Sequence, residues 1–163
     1  HAVSGKRLKI VVAKFNNPTG ILGAMLRAGG TLPLGENVVC MKNMGKAITH
    51  YLNRDNFVLF YPEGSEWWCY EKPRPFIKGA YYFAVKNNVP IIPAFFTFGD
   101  YGREKNGVRR KKFYLHIGKA LYPDQGLPEK QRVEDLKDKN YEYCKEVYEK
   151  FYGKELVFET VNL

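Results

Sequence analysis

Cysteine is scarce: Cys40, Cys69 and Cys144 are an odd set without metal-type spacing, which implies neither a disulfide framework nor a zinc site and fits a reducing compartment. Long apolar runs are missing as well. None approaches the roughly 18 residues that span a bilayer, and the N-terminus has no signal-peptide stretch, so the chain reads as soluble or peripheral. No Gly-x-Ser-x-Gly, no glycine-rich phosphate loop with its lysine and no His/Cys metal set occurs. Histidine is nearly absent too. His50 falls in a predicted helix and His116 inside a predicted strand, neither with a carboxylate at dyad spacing, so both read as structural. No self-contained nucleophile is visible, and there is no internal repeat or low-complexity stretch.

Acidic residues are outnumbered, 17 against 26 Lys and Arg, for a net charge of +9. That balance predicts attraction to polyanions: nucleic acid, an anionic membrane surface, or phosphorylated and CoA-type substrates. Charge alone does not choose among them. The densest basic run, Arg103 to Lys112, reads as a solvated loop between two strands. With 163 residues, 45% of them apolar, the chain is long enough for one domain, 1–163, with its core in the first two-thirds.

Leu8 to Ala13 reads as a strand; the turn cluster Asn16-Asn17-Pro18-Thr19-Gly20 leads into a short helix, Ile21 to Ala28, closed by Gly29-Gly30. Thr31 to Leu34 and Val38 to Met41 are brief extended candidates, followed by a helical recurrence of Met41, Met44, Ile48 and Tyr51/Leu52. A strand, Phe57 to Tyr61, a helix, Gly79 to Lys86, a buried strand, Ile91 to Phe98, and a further strand, Lys112 to Ile117, come next. Val133, Leu136, Cys144, Val147 and Phe151, with Tyr141 and Tyr148 beside them, define a long amphipathic helix from Glu129 to Tyr152. The fold class is therefore α/β, with a mixed, largely parallel central sheet flanked by helices and a long C-terminal amphipathic helix.

In such sheets ligands collect beyond strand C-termini, which draws attention to Tyr61-Pro62-Glu63-Gly64-Ser65-Glu66-Trp67-Trp68. Gly64 permits a positive φ or a close ligand approach, and Glu63 either points into a cleft or pairs with a nearby cation. Spacing does not decide between the two. Lys72, Arg74 and Lys78, stiffened by Pro73 and Pro75, suit a phosphate or are scattered solvent charges. Trp67, Trp68 and Tyr70 suit a cleft, a core edge or a membrane interface.

These blocks resemble the 1-acyl-sn-glycerol-3-phosphate acyltransferase family of glycerolipid acyltransferases. Tyr61-Pro62-Glu63-Gly64-Ser65 is similar to its Phe-Pro-Glu-Gly-Thr block, Phe76-Ile77-Lys78-Gly79-Ala80 to its Phe-x-Lys-Gly element, and Val89-Pro90-Ile91-Ile92-Pro93 to its Val-Pro-Ile-Val-Pro block. Gly30 to Leu34 resembles its Gly-x-x-Phe-Ile element and Ile117-Gly118-Lys119 its late Ile-Gly-Lys, so the likeness runs over residues 8 to 121.

The resemblance implies transfer of a fatty acyl group from acyl-CoA or acyl carrier protein to a lysophospholipid hydroxyl, lysophosphatidic acid becoming phosphatidic acid, in phospholipid synthesis. No cofactor beyond the thioester co-substrate is implied. It places the protein on the cytoplasmic side of a membrane, against an anionic surface, with no nucleic acid partner. Substrate binding is expected at Glu63, Gly64, Ser65, Lys72, Arg74 and Lys78. Proton abstraction belongs to a His-x-x-x-x-Asp dyad lying before the first strand, where only His1 stands, with Lys6 at the aspartate's place. The chain is thus expected to be an N-terminally truncated member, inactive alone.

Two departures concern the acceptor. Glu36 and Glu66 stand where the family carries phosphate-binding arginines, and carboxylates there repel a phosphate. The alternatives are an acyltransferase with a non-phosphate acceptor, or a non-catalytic basic module binding anionic membrane or nucleic acid through Arg109 to Lys112 and the C-terminal lysines.

Overall fold

The β-branched, apolar run Leu8–Val12 forms β1, the middle strand of a three-stranded parallel sheet in the computed structural model, which describes residues 6–35, 37–65, 67–105 and 108–158. Its neighbours are β2 (Thr31–Pro33), with Ile10 opposite Thr31, and β3 (Phe57–Leu59), with Leu8 opposite Phe57. Parallel neighbours need crossovers, supplied by α1 (Gly20–Gly29) and α2 (Val38–Leu52). Gly30 ends α1 with φ of 115°. A side chain there would strain the backbone and press on the Leu8 carbonyl, 2.8 Å from an added Cβ.

After β3 come α3 (Gly79–Asn87), the strands β4 (Ala94–Lys105) and β5 (Val108–Ile117), and α4 (Glu129–Tyr152). The α/β class, the parallel sheet with its helices and the long amphipathic C-terminal helix match the sequence reading. β4 and β5 form a separate antiparallel pair, in which Phe96 faces Leu115 and Phe98 faces Phe113. Among the described residues no helix is long and apolar enough to cross a membrane.

Three local expectations are corrected. Val38 to Met41 is helical, because Asn37 caps α2 by accepting the Cys40 N–H at 2.8 Å. Of the basic run Arg103 to Lys112, residues 103–105 and 108–112 belong to the paired strands β4 and β5; 106–107 lie outside the described residues. The expected buried strand from Ile91 is a single bridge to Leu121, then β4 from Ala94. One side of β4–β5 packs toward α4 through Tyr114 and His116 against Phe151, while Phe96, Phe113, Leu115 and Ile117 are exposed on the other.

α3 joins two apolar clusters. Ala80, Tyr81, Ala84 and Val85 pack with Val133 and Leu136 of α4, so the core is not confined to the first two-thirds of the chain as expected. Phe83 packs with Met44 and Ile48 of α2, over Val11, Leu32 and Val58 of the sheet. Phe60, just beyond β3, touches both.

Candidate functional site

Beyond β3 the chain turns at once. The Gly64 N–H donates to the Tyr61 carbonyl at 3.1 Å, and Gly64 adopts φ of 73°. The positive φ at Gly64 strains any other residue, and an added Cβ would also press on the Ile77 side-chain tip, 2.5 Å away at Cδ1. The Ile77 N–H returns to the Pro62 carbonyl at 2.7 Å and closes a loop of residues 62–77.

Arg74 holds this loop from within. Its backbone N–H donates to Glu63 Oε1 at 3.2 Å; Nη2 donates to the Glu63 carbonyl at 3.3 Å and Ser65 Oγ at 2.7 Å, and Nη1 to the Ser65 carbonyl at 3.2 Å. The guanidinium also stacks over Trp67, 4.2 Å from the ring centroid, and Trp67 packs edge-on against Tyr70. A planar fork can make several such bonds at once; an ammonium cannot.

The structure therefore brings together Glu63, Gly64, Ser65 and Arg74. It does not bring Lys72 or Lys78 to them. Lys72 donates to the Val157 carbonyl at 2.7 Å and lies near the Phe158 ring. Lys78 pairs with Glu134 of α4, which also holds Lys137 at 2.7 Å. Lys78 lines a trough of about 1220 Å³ between α2, α3 and α4, with Gly45, Tyr82, Phe83 and Val133 along its apolar part. The expected phosphate-binding trio is thus dispersed. Glu36 and Glu66, the two departures from the family pattern, lie outside the described residues.

The Glu63 carboxylate faces α4. Burial raises the pKa of Tyr141 and pushes that of Cys144 up to about 12, and the Glu63 charge adds to both. Phe76 packs edge-on against Tyr141, whose hydroxyl reaches the Pro73 carbonyl at 3.5 Å. Sequence spacing gave no sign of this inward aim. The guanidinium–indole stack was equally hidden, since Trp67 and Arg74 become neighbours only when the loop closes.

Burial pushes the Glu63 carboxyl above its ordinary 4.5, against the opposing pull of the Arg74 N–H and charge. The folded state then binds this proton more tightly than the unfolded state, so the group favours folding below pH 4.5 and that advantage is lost as pH rises through the raised value. Glu63→Gln keeps an oxygen for the Arg74 N–H and removes the charge. Its Tm at neutral pH is expected to equal or exceed the parent's, with a flatter decline from acid to neutral pH in thermal melts. A variant that melts lower with the same pH slope would contradict the inward, desolvated placement.

Among the described residues no histidine touches this cluster. His50 accepts from Arg54 at 2.8 Å and His116 Nε2 lies 2.7 Å from the Thr97 hydroxyl. The arrangement can frame a ligand at the sheet's C-terminal edge, with one hydroxyl and one guanidinium, but contains no nucleophile–base pair.

A family model described as Acyltransferase matches residues 2–97. No curated protein matches the chain. Among solved structures, the chain is similar to the 1-acyl-sn-glycerophosphate (LPA) acyltransferase PlsC from Thermotoga maritima, with a TM-score of 0.61 and 19% identity. The alignment covers 91% of this chain and 58% of that one, so the chain spans less than two-thirds of that structure's length. At this identity the likeness speaks for the fold. The family match extends over more than half of the sequence and contains β1 to β3, the Pro-Glu-Gly turn and α3; on that ground the chain belongs to the acyltransferase family.

Proposed function

We propose that the protein takes part in transferring a fatty acyl group from an acyl thioester, acyl-CoA or acyl carrier protein, to the hydroxyl of a lysophospholipid, with lysophosphatidic acid as acceptor and phosphatidic acid as product. In this reaction the hydroxyl oxygen attacks the thioester carbonyl, the C–S bond breaks and the thiol leaves. The hydroxyl proton passes to the imidazole of the family's His-x-x-x-x-Asp element, which none of the residues described above supplies. The chain's own contribution is a preformed wall.

The observation that carries the proposal is the closed Glu63-Gly64-Ser65/Arg74 loop at the C-terminal edge of β3, inside the segment that matches the family. Ser65 and Arg74 frame the acceptor, and Lys78 faces whatever lipid enters the trough. The exposed Phe15, Ile21, Leu22 and Met25, beside and on α1, together with the +9 charge, suit a peripheral position on the cytoplasmic face of an anionic membrane.

The test is an acyl-CoA consumption assay on the protein joined to a segment bearing the His-x-x-x-x-Asp element. Lysophosphatidic acid is compared with an uncharged monoacylglycerol, and the CoA donor with the carrier-protein donor. Turnover that requires the phosphate supports the proposal. Equal turnover with the uncharged acceptor supports the non-phosphate alternative that Glu36 and Glu66 invite, and no turnover with any lysolipid overturns acyl transfer.

A further inference from the structure

At the opposite ends of the strands from the Tyr61 to Ile77 loop lies a second cavity, of about 470 Å³, lined by Arg7, Lys9, His50, Tyr51, Arg54 and Asn56. None of these residues is acidic. Lys9, in the middle strand, is only 8% exposed, its ammonium 4.5 Å from the Tyr51 ring centroid. Asp55, next along the chain, is engaged by Lys6 at 2.6 Å. The ring face attracts the ammonium but supplies no negative charge.

The other groups are held in place. Asn56 accepts the Arg7 N–H at 3.2 Å and donates to the Tyr51 and Arg54 carbonyls. Arginine has no acceptor, so His50 Nε2 receives the Arg54 N–H at 2.8 Å. The carbonyl end of α2 attracts the Arg54 cation by its dipole. It does not require Arg7 and Lys9, from a different element, to face the same space.

We infer that this cavity binds a phosphate-class dianion, a phosphate monoester with a small organic group, held by Arg7, Lys9 and Arg54. Three cations against two negative charges is a common balance for such a ligand, and two guanidiniums offer bidentate geometry. The volume lies in the range of small-molecule sites, above that of bare phosphate. The phosphate comes either from a soluble monoester or from a lipid headgroup.

The experiment is a thermal-shift titration of the full chain at ionic strength fixed with chloride. The probes are inorganic phosphate, glycerol 3-phosphate and phosphatidic-acid vesicles. At about ten times Kd, the Tm of the parent is expected to rise by about 3–6 °C. Lys9→Met, whose apolar stem occupies the same space without the ammonium, is expected to be at least as stable in chloride and to lose the response. Arg54→Gln weakens it about ten-fold or more. Lys139→Met, a change of equal charge on α4, keeps it.

A response to soluble probes identifies a free monoester, and a response to vesicles alone identifies a headgroup; either supports a dianion site. No response to any probe, or a response that survives in Lys9→Met, overturns it. Turnover is not measured, so failure of acyl transfer and failure of this site are told apart.

Discussion

Replacing Tyr81 with alanine is expected to cost about 3–5 kcal/mol, the range for deleting a large buried ring. Tyr81 is wholly buried, stacks on Phe76 at 6.4 Å and accepts a 2.8 Å hydrogen bond from Asn140 Nδ2. Asn140 is buried in α4, and its Oδ1 has no partner among the described residues. Truncation therefore leaves a cavity and also strips Asn140 of its remaining side-chain bond, a further loss of about 1–3 kcal/mol if the amide stays dry. Against the 5–15 kcal/mol of an ordinary domain this removes a large share of the stability. Urea melts would show a lowered midpoint with an unchanged slope. Tyr81→Phe separates the two causes: it keeps the ring and loses about 1–3 kcal/mol through the orphaned amide alone. Adding Asn140→Leu to Tyr81→Phe is expected to recover most of that loss. A Tyr81→Ala loss below about 1 kcal/mol would mean that the α3–α4 contact does not carry the core.

Arg74→Ala is expected to act on turnover more than on stability. Three side-chain bonds and the stack on Trp67 are lost together, and the loop that presents Ser65 loses its strut. A misplacement of about 1 Å at a reacting centre costs on the order of 100-fold in rate, so kcat/KM in the reconstituted acyltransferase assay is expected to fall by about that factor. Tm should move by only a few degrees, because Arg74 sits at a half-buried loop and not in the core. Arg74 is a positioning residue here, and a shift in Trp67 fluorescence would report the released loop. Arg74→Lys restores charge without the fork and is expected to recover little. Should Lys72→Ala and Lys78→Ala cost as much as Arg74→Ala, the three cations act as one site despite their separate partners.

Features carried by long, regular patterns were legible in the sequence. α4 runs from Glu129 to Tyr152 as its periodicity indicated, since many turns of amphipathic spacing outvote local noise, and Gly153 ends it in the left-handed region. The closing glycine pair of α1 and the Pro-Glu-Gly turn were readable for a similar reason: each requires a particular backbone. Val38 and Val39 are extended candidates in the sequence, yet the deciding group is the Asn37 carboxamide, which starts a helix there.

The site was half visible. Glu63, Gly64, Ser65 and Arg74 could be singled out, but the direction of each side chain depends on how residues 62–77 fold back. Lys72 is two residues from Arg74, yet finds its partner in the segment after α4. The cation-lined cavity was invisible altogether, because Arg7 and Lys9 meet Arg54 only through the pairing of β1 with β3 and the end of α2.

One nine-residue helix, α3, contributes side chains to both apolar clusters. It is a keel to which the sheet side and the C-terminal side are both fastened, so a substitution that undermines it is expected to loosen both. A single cooperative thermal transition of the two sides is the expected consequence.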